Sequence, residues 1–432
     1  MEGEQLSLFS TESNSSDSYF TRKRSWSASK HRILLRYIQS YCYNLGGNKA
    51  YQSDQINYVD CFAGSGKYEE GIGIEDFVNN SKFWASKYQH EFKNTDGSPL
   101  IALKCAKLFN QERRVNLRCF FIESNLSLNQ QLQDNCKLTG ENLFYKIYEP
   151  QKFEEALPKI FQDLHNYPTF FFLDTFGVKG VTFEQICSIG NYLSQHKGEL
   201  FLLFHNRQVA RHAGHHKISY DDPKQQKTSK TYTRNLTKLL GSNSDKDWKP
   251  NWLKLKTQSQ EFEKWALEYF KDRIRNETNF KGVTSFEVKE TYNDNRPQYS
   301  IVVGSNHPEK AFGEFINEFV WEEEKLLFFQ DSHQGSHKFL EKEWNSENDR
   351  RIAIIKPLSV DILKKIRPEW ISFKDAITKI ILGSKNIGIL KRTQYYNDIL
   401  GSLYKEGILE IKNPGSKKDY TLKSLLRIII QG

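Results

Sequence analysis

The sequence of 432 residues has no long apolar run and no leader-like start. A membrane helix needs about 18 consecutive apolar residues, whereas an apolar run such as 169–173 has only the length of a buried strand. The first residues also lack the basic-then-apolar order of a secretion signal. These absences argue against a membrane protein and predict a cytoplasmic location.

Cysteine is sparse, and none of the six cysteines forms a Cys-x-x-Cys pair. Most of them lie in segments typical of a strand or helix, where a reduced cysteine behaves as a small buried hydrophobic residue. We therefore expect neither a disulfide framework nor a zinc site. The histidines His205, His212, His215 and His216 also lack zinc-ligand spacing and favour a basic loop over a metal site.

The formal charge of +9 is modest for this length. It favours a polyanionic partner such as nucleic acid, although a basic solvated surface explains the same number. Hydrophobic residues make up 38% of the chain, which is enough to build sizeable cores. Charged residues make up 27%, and this mixture argues against a disordered chain.

Short apolar runs alternate with segments of helical spacing through the first half of the chain. The predicted strands are 56–62, 117–122, 143–148, 169–174 and 200–204. The predicted helices between them are 100–110, 126–136, 153–164 and 183–194. Strands separated by helices predict right-handed crossovers and a parallel sheet, and further sheet-like runs at 282–288 and 299–303 would complete it.

The composition divides the chain into segments. Residues 1–24 are predicted to be a flexible tail, and 25–325 to form an α/β domain. Within that domain, 206–260 is basic and polar, which is typical of an insertion or lid. The charged segment 326–358 is predicted to connect this domain to the C-terminal one, 359–432.

The C-terminal segment has the element order of a winged helix. Helices are predicted at 371–381 and 393–404, then a strand at 407–411, a turn-rich loop and a strand at 420–422. Winged helices place their second helix in a DNA groove, with wing residues such as Lys417 and Lys418 on phosphates. They serve equally often as protein docking modules.

The main chemical signal is the segment 56–66, an apolar strand that ends in Asp60 and continues into a turn with Gly64 and Gly66. Ligands bind at the carboxyl ends of parallel strands, and glycine lets the backbone approach them closely. A dinucleotide site usually needs a third glycine, which disfavours a nucleotide-dependent oxidoreductase. An acidic residue beside the turn suits S-adenosylmethionine (SAM), which carries a sulfonium cation and no phosphate.

Two later strands also end in a carboxylate. Glu123 follows the second strand, where such a group can accept both ribose hydroxyls of an adenosine cofactor. Asp174 follows the fourth strand, where it could hold or deprotonate an exocyclic amine, and Phe176 could stack on an extruded base. The simpler alternatives are surface acids, a helix N-cap for Asp174 and core packing for Phe176.

Five motifs in this order resemble a known family. They are 30–31 (Lys-His), 58–66 (Tyr-Val-Asp-Cys-Phe-Ala-Gly-Ser-Gly), 97–102 (Gly-Ser-Pro-Leu-Ile-Ala), 121–123 (Phe-Ile-Glu) and 173–177 (Leu-Asp-Thr-Phe-Gly). Together they resemble the three-Cys-motif partner proteins (TcmP) and, more distantly, the ribosomal RNA adenine-N6 methyltransferases of the RlmJ type. The resemblance covers about 30–176, and for the partner proteins it extends through 299–307 into the winged helix.

The resemblance implies a Rossmann-like SAM-dependent methyltransferase sheet with an insertion, followed by the winged helix. The residues that it implies for SAM are His31, Asp60, Phe62, Gly64, Gly66, Ser98 and Glu123. It implies that Gln151 and Lys152 flank the adenine and that Asp174, with Phe176 beside it, is catalytic. The adenine-N6 enzymes carry Asp-Pro-Pro-Tyr where this chain has 174–177 without proline.

Two functions follow as hypotheses. The first is a SAM-dependent methyltransferase that acts on nucleic acid, together with a partner protein bearing three clustered cysteines, as the family name implies. The second is a non-catalytic adaptor that binds a partner protein or nucleic acid through its methyltransferase-like and winged helix domains.

Overall fold

The computed structural model is built on a seven-stranded, mostly parallel sheet. It describes residues 22–46, 54–80, 90–111, 115–216, 222–332, 337–366, 370–385, 387–412 and 424–429. The strands of the large sheet are β1 (Gln55–Asp60), β2 (Asn116–Phe121), β3 (Tyr145–Ile147), β4 (Thr169–Leu173), β5 (Glu199–Phe204), β6 (Gly282–Val288) and β7 (Tyr299–Ser305). The α/β fold class predicted from the sequence is therefore confirmed.

The strand order is β3-β2-β1-β4-β5-β7-β6. The first five strands are parallel, and β7 pairs antiparallel with both β5 and β6. Helices cover both faces of a parallel sheet, so its strands are buried on both sides. This explains why β4 and β5, in which every residue is buried, are uninterrupted apolar runs after their first residues, Thr169 and Glu199.

Helices form a layer on each face of the sheet. The helices up to β7 are α1 (Ser25–Gly46), α2 (Glu75–Asn80), α3 (Ser98–Gln111), α4 (Leu126–Thr139), α5 (Phe153–Asp163), α6 (Phe183–Gln195), α7 (Asn206–Gly214), α8 (Pro223–Leu240), α9 (Asp245–Leu255) and α10 (Ser259–Glu277). One core lies between the sheet, α1 and α3, where Tyr37 packs on Phe170 and Phe201. The other lies beneath α5 to α10.

The segment 206–260, predicted as an insertion or lid, consists largely of helices α7, α8 and α9. Their apolar faces pack into the second core, and the side chains of Leu236, Leu240 and Trp248 are fully buried. Most of its described lysines and arginines are exposed, whereas His212 is buried. Its polar composition therefore reflects one exposed face of helices whose other face is buried.

The segment 326–358, predicted as a connector, is helical at 326–331 and 337–358. The helix α11 (308–331) comprises Pro308–Lys310, a π-helical turn Ala311–Ile316 and Asn317–Asp331. Helix α12 (His337–Lys365) packs against it, with Trp344 buried between Trp321 and Phe328. The segment thus contributes a packed helix pair.

The remaining elements form a C-terminal unit with a three-stranded antiparallel sheet of order β8-β10-β9. They are β8 (Ile371–Ser372), α13 (Phe373–Ser384), α14 (392–405), β9 (Leu409–Lys412) and β10 (Leu425–Ile428). The helix predicted to start at residue 371 begins at Phe373, because the Ser372 side chain accepts the Asp375 N–H at the N-terminus. The predicted strand 420–422 and Lys417 and Lys418 lie outside the described residues.

Candidate functional site

The strand order reverses between β1 and β4, and the predicted carboxylates lie at the carboxyl ends of the strands around this point. Asp60 is the last residue of β1, Asp174 follows β4, and Glu123 follows β2 beside β1. In open parallel sheets such a reversal opens a crevice that binds ligands. The structure therefore brings the three acids to one edge of one sheet.

Asp60 is fully buried beneath the crevice. Its carboxylate accepts hydrogen bonds from the Tyr58 hydroxyl at 3.2 Å, from the Phe62 N–H at 3.4 Å and from the Ser98 side chain. Burial raises the pKa of Asp60 to about 7; the hydrogen bond from Ser98 opposes the rise, and the charge of Asp174 adds to it. A carboxyl with this pKa exchanges its proton near neutral pH, as groups at functional sites often do.

The glycine turn after β1 is held by Glu123. Its Oε2 accepts the Gly64 N–H at 3.0 Å, and its Oε1 accepts the Asn125 N–H at 2.7 Å. Burial raises the pKa of Glu123, while these backbone hydrogen bonds lower it. Glu123 thus fixes the turn and still has lone pairs on both oxygens for further donors.

Gly66 and Gly97 pack the two loops of the site against each other. Gly66 has φ of +76°, and a Cβ there would lie 2.9 Å from Leu132. A Cβ on Gly97 would lie 2.8 Å from the Gly66 carbonyl oxygen, which accepts the Gly97 N–H at 2.9 Å. This contact sets the start of α3, whose first residue, Ser98, reaches Asp60.

Asp174 is ion-paired with the buried ammonium of Lys30 from α1. It does not cap a helix, because the next helix begins at Phe183 and is capped by Thr182. Phe176 is 51% exposed, so it does not pack in the core either. Both residues instead face the crevice, as their proposed roles require.

His31 is buried on the same helix, with its ring 6.0 Å from that of Tyr68. Burial lowers the pKa of His31 well below its usual value, and the charges of Lys23, Lys30 and Arg32 add to the effect. Its Nδ1 has no hydrogen-bond partner within the described part of the chain. A buried polar atom without a partner is uncommon, and this one borders the crevice.

The crevice is a narrow cleft that opens to solvent. The space that water could enter amounts to about 20 Å³, room for roughly one molecule. Its lining residues are His31, Phe62, Ala63, Gly66, Lys67, Tyr68, Gly97, Ser98, Asp174 and Phe176. Of the predicted site residues, Asp60, Gly64 and Glu123 do not line the cleft; they lie behind its wall.

Sequence reasoning gave Lys30 no role, although it pairs with Asp174. A signal was present, because Lys30 lies at helical spacing between Trp26 and Ile33 on the buried face of α1. A lysine on such a face needs a partner. The partner is 144 residues away along the chain. The sequence therefore indicates that Lys30 needs a partner but does not identify Asp174 as that partner.

Other predicted residues lie elsewhere. Gln151 accepts a hydrogen bond from Lys159, and Lys152 precedes α5; neither lines the cleft. The rings of His212 and His215 each lie 4.5 Å from Tyr232.

His205 contacts the Thr175 carbonyl at 2.6 Å. Within the described ranges, no three His, Cys, Asp or Glu side chains form a group that could hold a metal ion. None of the described helices has the length and apolar character that crossing a membrane requires.

Comparison with known proteins yields little. No family model matches the chain, and no curated protein matches it. Among solved structures, the chain is similar to protein LPL1258 of Legionella pneumophila strain Philadelphia 1, of the family DUF519. The two are 11% identical, and the match covers 70% of this chain and 92% of that one with a TM-score of 0.38. So distant a likeness carries no argument about function.

Proposed function

We propose that this protein is a SAM-dependent methyltransferase that acts on nucleic acid in the cytoplasm, together with a partner protein. The observation that carries the proposal is the placement of Asp60, Glu123 and Asp174 around the point where the strand order reverses. Further support comes from the antiparallel strand pair β6 and β7, which was expected at this end of a methyltransferase-like sheet. This is an argument from the site together with the fold, since a fold alone does not determine function.

The residues of the site have the chemistry that SAM requires. Glu123 lies behind the cleft wall but keeps lone pairs that ribose hydroxyls would reach once the cleft widens, and Gly66 allows close approach of the backbone. The unpaired Nδ1 of His31 and the Ser98 hydroxyl supply further polar contacts. Bound SAM would supply an electrophilic methyl group. Because the cleft is narrow, binding has to widen it, and Phe62 and Phe176 are the large side chains on its walls.

Asp174 and Phe176 are the residues that we assign to the methyl acceptor. A carboxylate at the end of β4 can hold an amine or accept its proton. A half-exposed phenyl ring beside it can stack on a base taken out of a helix. Lys30 is ion-paired with Asp174 in the free protein, and an acceptor amine has to compete with this ammonium.

Nucleic acid as the substrate is supported by a stripe of exposed cations on α8. Lys227, Lys230, Arg234 and Lys238 recur on one face of this helix, and all four are exposed. Evenly spaced cations can follow a phosphate backbone. We propose that the C-terminal unit, in which two helices precede a strand pair, is a winged helix that presents the substrate or docks the partner.

A second function, a non-catalytic adaptor, is favoured by one specific observation. The carboxylate of Asp174 is already neutralised by a buried lysine, and the following residues lack the prolines of the adenine-N6 enzymes. A protein that has lost catalysis but kept its fold would bind a partner protein or nucleic acid through the same surfaces. The two functions differ in whether Asp174 is needed.

Calorimetry with SAM and with its demethylated product tests the cofactor. We expect saturable binding of both compounds, lost in Asp60→Ala and weakened about 10- to 100-fold in Glu123→Ala, which also removes acceptors from two backbone N–H groups. Asp54→Ala is the matched control, because Asp54 is an exposed acid at the opposite end of β1. Absence of SAM binding to the folded wild-type protein would refute the proposal.

Transfer of tritium from labelled SAM to DNA or RNA tests catalysis. We expect transfer by the wild type and by Asp54→Ala, and none by Asp174→Ala or Asp174→Asn. An assembly with nucleic acid or a partner that forms equally well in Asp174→Ala, without any transfer by the wild type, would instead establish the adaptor.

A further inference from the structure

A second cavity lies on the other side of α1, away from the cleft. It has a volume of about 490 Å³, within the range of small-molecule sites. Its walls come from α1, α10, β6, α11 and the loop after α13. The lining residues are Ser29, Ile33, Lys264, Leu267, Glu268, Lys271, Ser285, Phe286, Glu287, Val288, Lys289, Val320, Glu323, Glu324, Leu327, Lys385, Ile387 and Ile389.

The cavity wall is mostly apolar. Leu267 of α10, Leu327 of α11 and Ile387 come from three separate elements, and β6 contributes Phe286 and Val288. Small-molecule sites combine such apolar surface with placed polar groups, and eight of the lining residues here are charged. The apolar part of an occupant therefore has a surface to pack against.

Lys271 is the unusual polar group of this cavity. Its side chain is 1% exposed, and its ammonium lies 2.5 Å from Glu268. Lys385 lies 2.8 Å from the same carboxylate. Burial lowers the pKa of Lys271, and Glu268 raises it. Two ammonium groups thus share one carboxylate beside an apolar wall.

The other charged residues that line the cavity do not neutralise this excess of ammonium groups over carboxylate at Glu268. Among the glutamates, Glu323 is bound by Arg32 and Glu324 by Arg351, and neither arginine lines the cavity. Among the lysines, Lys264 pairs with Glu261 outside it. The remaining lining charges are three lysines, at 271, 289 and 385, and two glutamates, at 268 and 287. At Glu268 itself, the ammonium groups of Lys271 and Lys385 outnumber the one carboxylate that they share.

The backbone at Lys385 is a second, independent sign. Lys385 follows α13 with φ of +58°, in the left-handed region where helix ends prefer glycine. A lysine there is less favourable than glycine, and such positions often have a functional reason. The side chain extends from this position to Glu268 and the cavity.

We propose that this cavity binds a small amphipathic anion, whose head group contacts Lys271 and Lys385 and whose apolar body packs on Leu267, Leu327 and Ile387. The head group is a carboxylate or a phosphate monoester. This site is separate from the cleft and does not depend on methyl transfer.

Calorimetry on the full chain, without SAM, tests the site with octanoate, octyl phosphate and 1-octanol. We expect one molecule of an anionic compound to bind, with 1-octanol at least about tenfold weaker because it lacks the charge. The stronger of the two anions identifies the head group. Equal affinity for 1-octanol and both anions, or no saturable binding of either anion, would overturn the proposal.

Variants locate the head group. Lys271→Met should weaken binding of the preferred anion about tenfold or more and leave 1-octanol within about twofold. Lys254→Met, an exposed lysine on the neighbouring helix α9 that does not line the cavity, is the matched control and should leave both unchanged. Lys385→Gly should weaken binding of the anion while the protein stays at least as stable, since glycine prefers this backbone conformation. A loss in Lys254→Met as large as that in Lys271→Met would place the anion elsewhere.

Discussion

The charged pairs around α1 differ from those of the C-terminal unit in their burial. Arg32 and Glu323 have side chains that are 5% and 6% exposed, whereas Arg427 and Glu410 on the small sheet are 41% and 44% exposed. Burying both charges of the first pair costs desolvation free energy, and removing one partner strongly destabilises the fold because the other charge stays buried alone. An exposed pair such as the second contributes little to stability. Removing one partner should therefore cost far more stability beside α1 than on the small sheet.

The largest expected effect comes from breaking the buried pair. Arg32→Met leaves Glu323 buried without a cation and removes donors to the Gly73 carbonyl and Ser29. We expect a loss of about 3–5 kcal/mol in the free energy of unfolding, measured by urea denaturation. Arg427→Met, the exposed counterpart, should cost less than about 1 kcal/mol. Similar losses of stability in the two variants would contradict the expected difference between the buried and the exposed pair.

Removing both partners of the buried pair sharpens the result. Arg32→Met with Glu323→Met leaves no buried charge, so we expect it to recover part of the stability lost in the single variant. If the double variant is no more stable than Arg32→Met, packing and the lost backbone contacts of Arg32 carry the effect instead of the charge.

The next effect depends on pH and concerns Asp60. Its pKa is about 7 in the folded protein against 3.8 normally, so the folded state holds the proton more tightly. Its contribution to stability is present below pH ~4 and lost as the pH rises towards ~7. Wild type should therefore lose on the order of 2–4 kcal/mol relative to Asp60→Asn between pH 4 and pH 8. Urea midpoints that differ by a constant amount at both pH values would contradict this.

The smallest effect is expected at Glu406, an exposed carboxylate that accepts a hydrogen bond from Lys356. This bond lowers the pKa of Glu406, so its contribution is present above the normal pKa and lost as the pH falls through the folded one. Glu406→Gln should shift the urea midpoint slightly at pH 7 and not at pH 3. High salt should shrink the shift further. A shift comparable to that of Asp60→Asn would remove the distinction between the regions.

The sequence predicted the sheet well because its strands are apolar runs bounded by turns. The runs at 56–62 and 169–174 correspond to β1 and β4, and the acids that follow them identify one edge of the sheet. Strand ends are local features. For the same reason, the position of three predicted site residues behind the cleft wall could not be predicted, because it depends on how loops fold over one another.

Contacts between residues far apart along the chain could not be predicted from the sequence. The pairing of Lys30 with Asp174 and the joint reach of Lys271 and Lys385 to Glu268 depend on packing between distant elements. The helices within 206–260 were not predicted, because their many lysines made the segment look like a polar insertion or lid, although Leu236, Leu240 and Trp248 mark a buried face. The amino-acid composition of a segment averages over both faces of its helices, and in 206–260 the polar residues of the exposed face outnumber the apolar residues of the buried one.

Helix α1 is the shared wall of the cleft and the second cavity. His31 lines the first, where Lys30 holds Asp174 from the same helix, and Ser29 and Ile33 line the second. If a ligand bound in one of these two sites displaces this helix, the affinity of the other site for its own ligand changes by some factor. Thermodynamic reciprocity then requires the same factor in the opposite direction. A measurement of either ligand in the presence of the other would therefore report how rigidly one helix joins them.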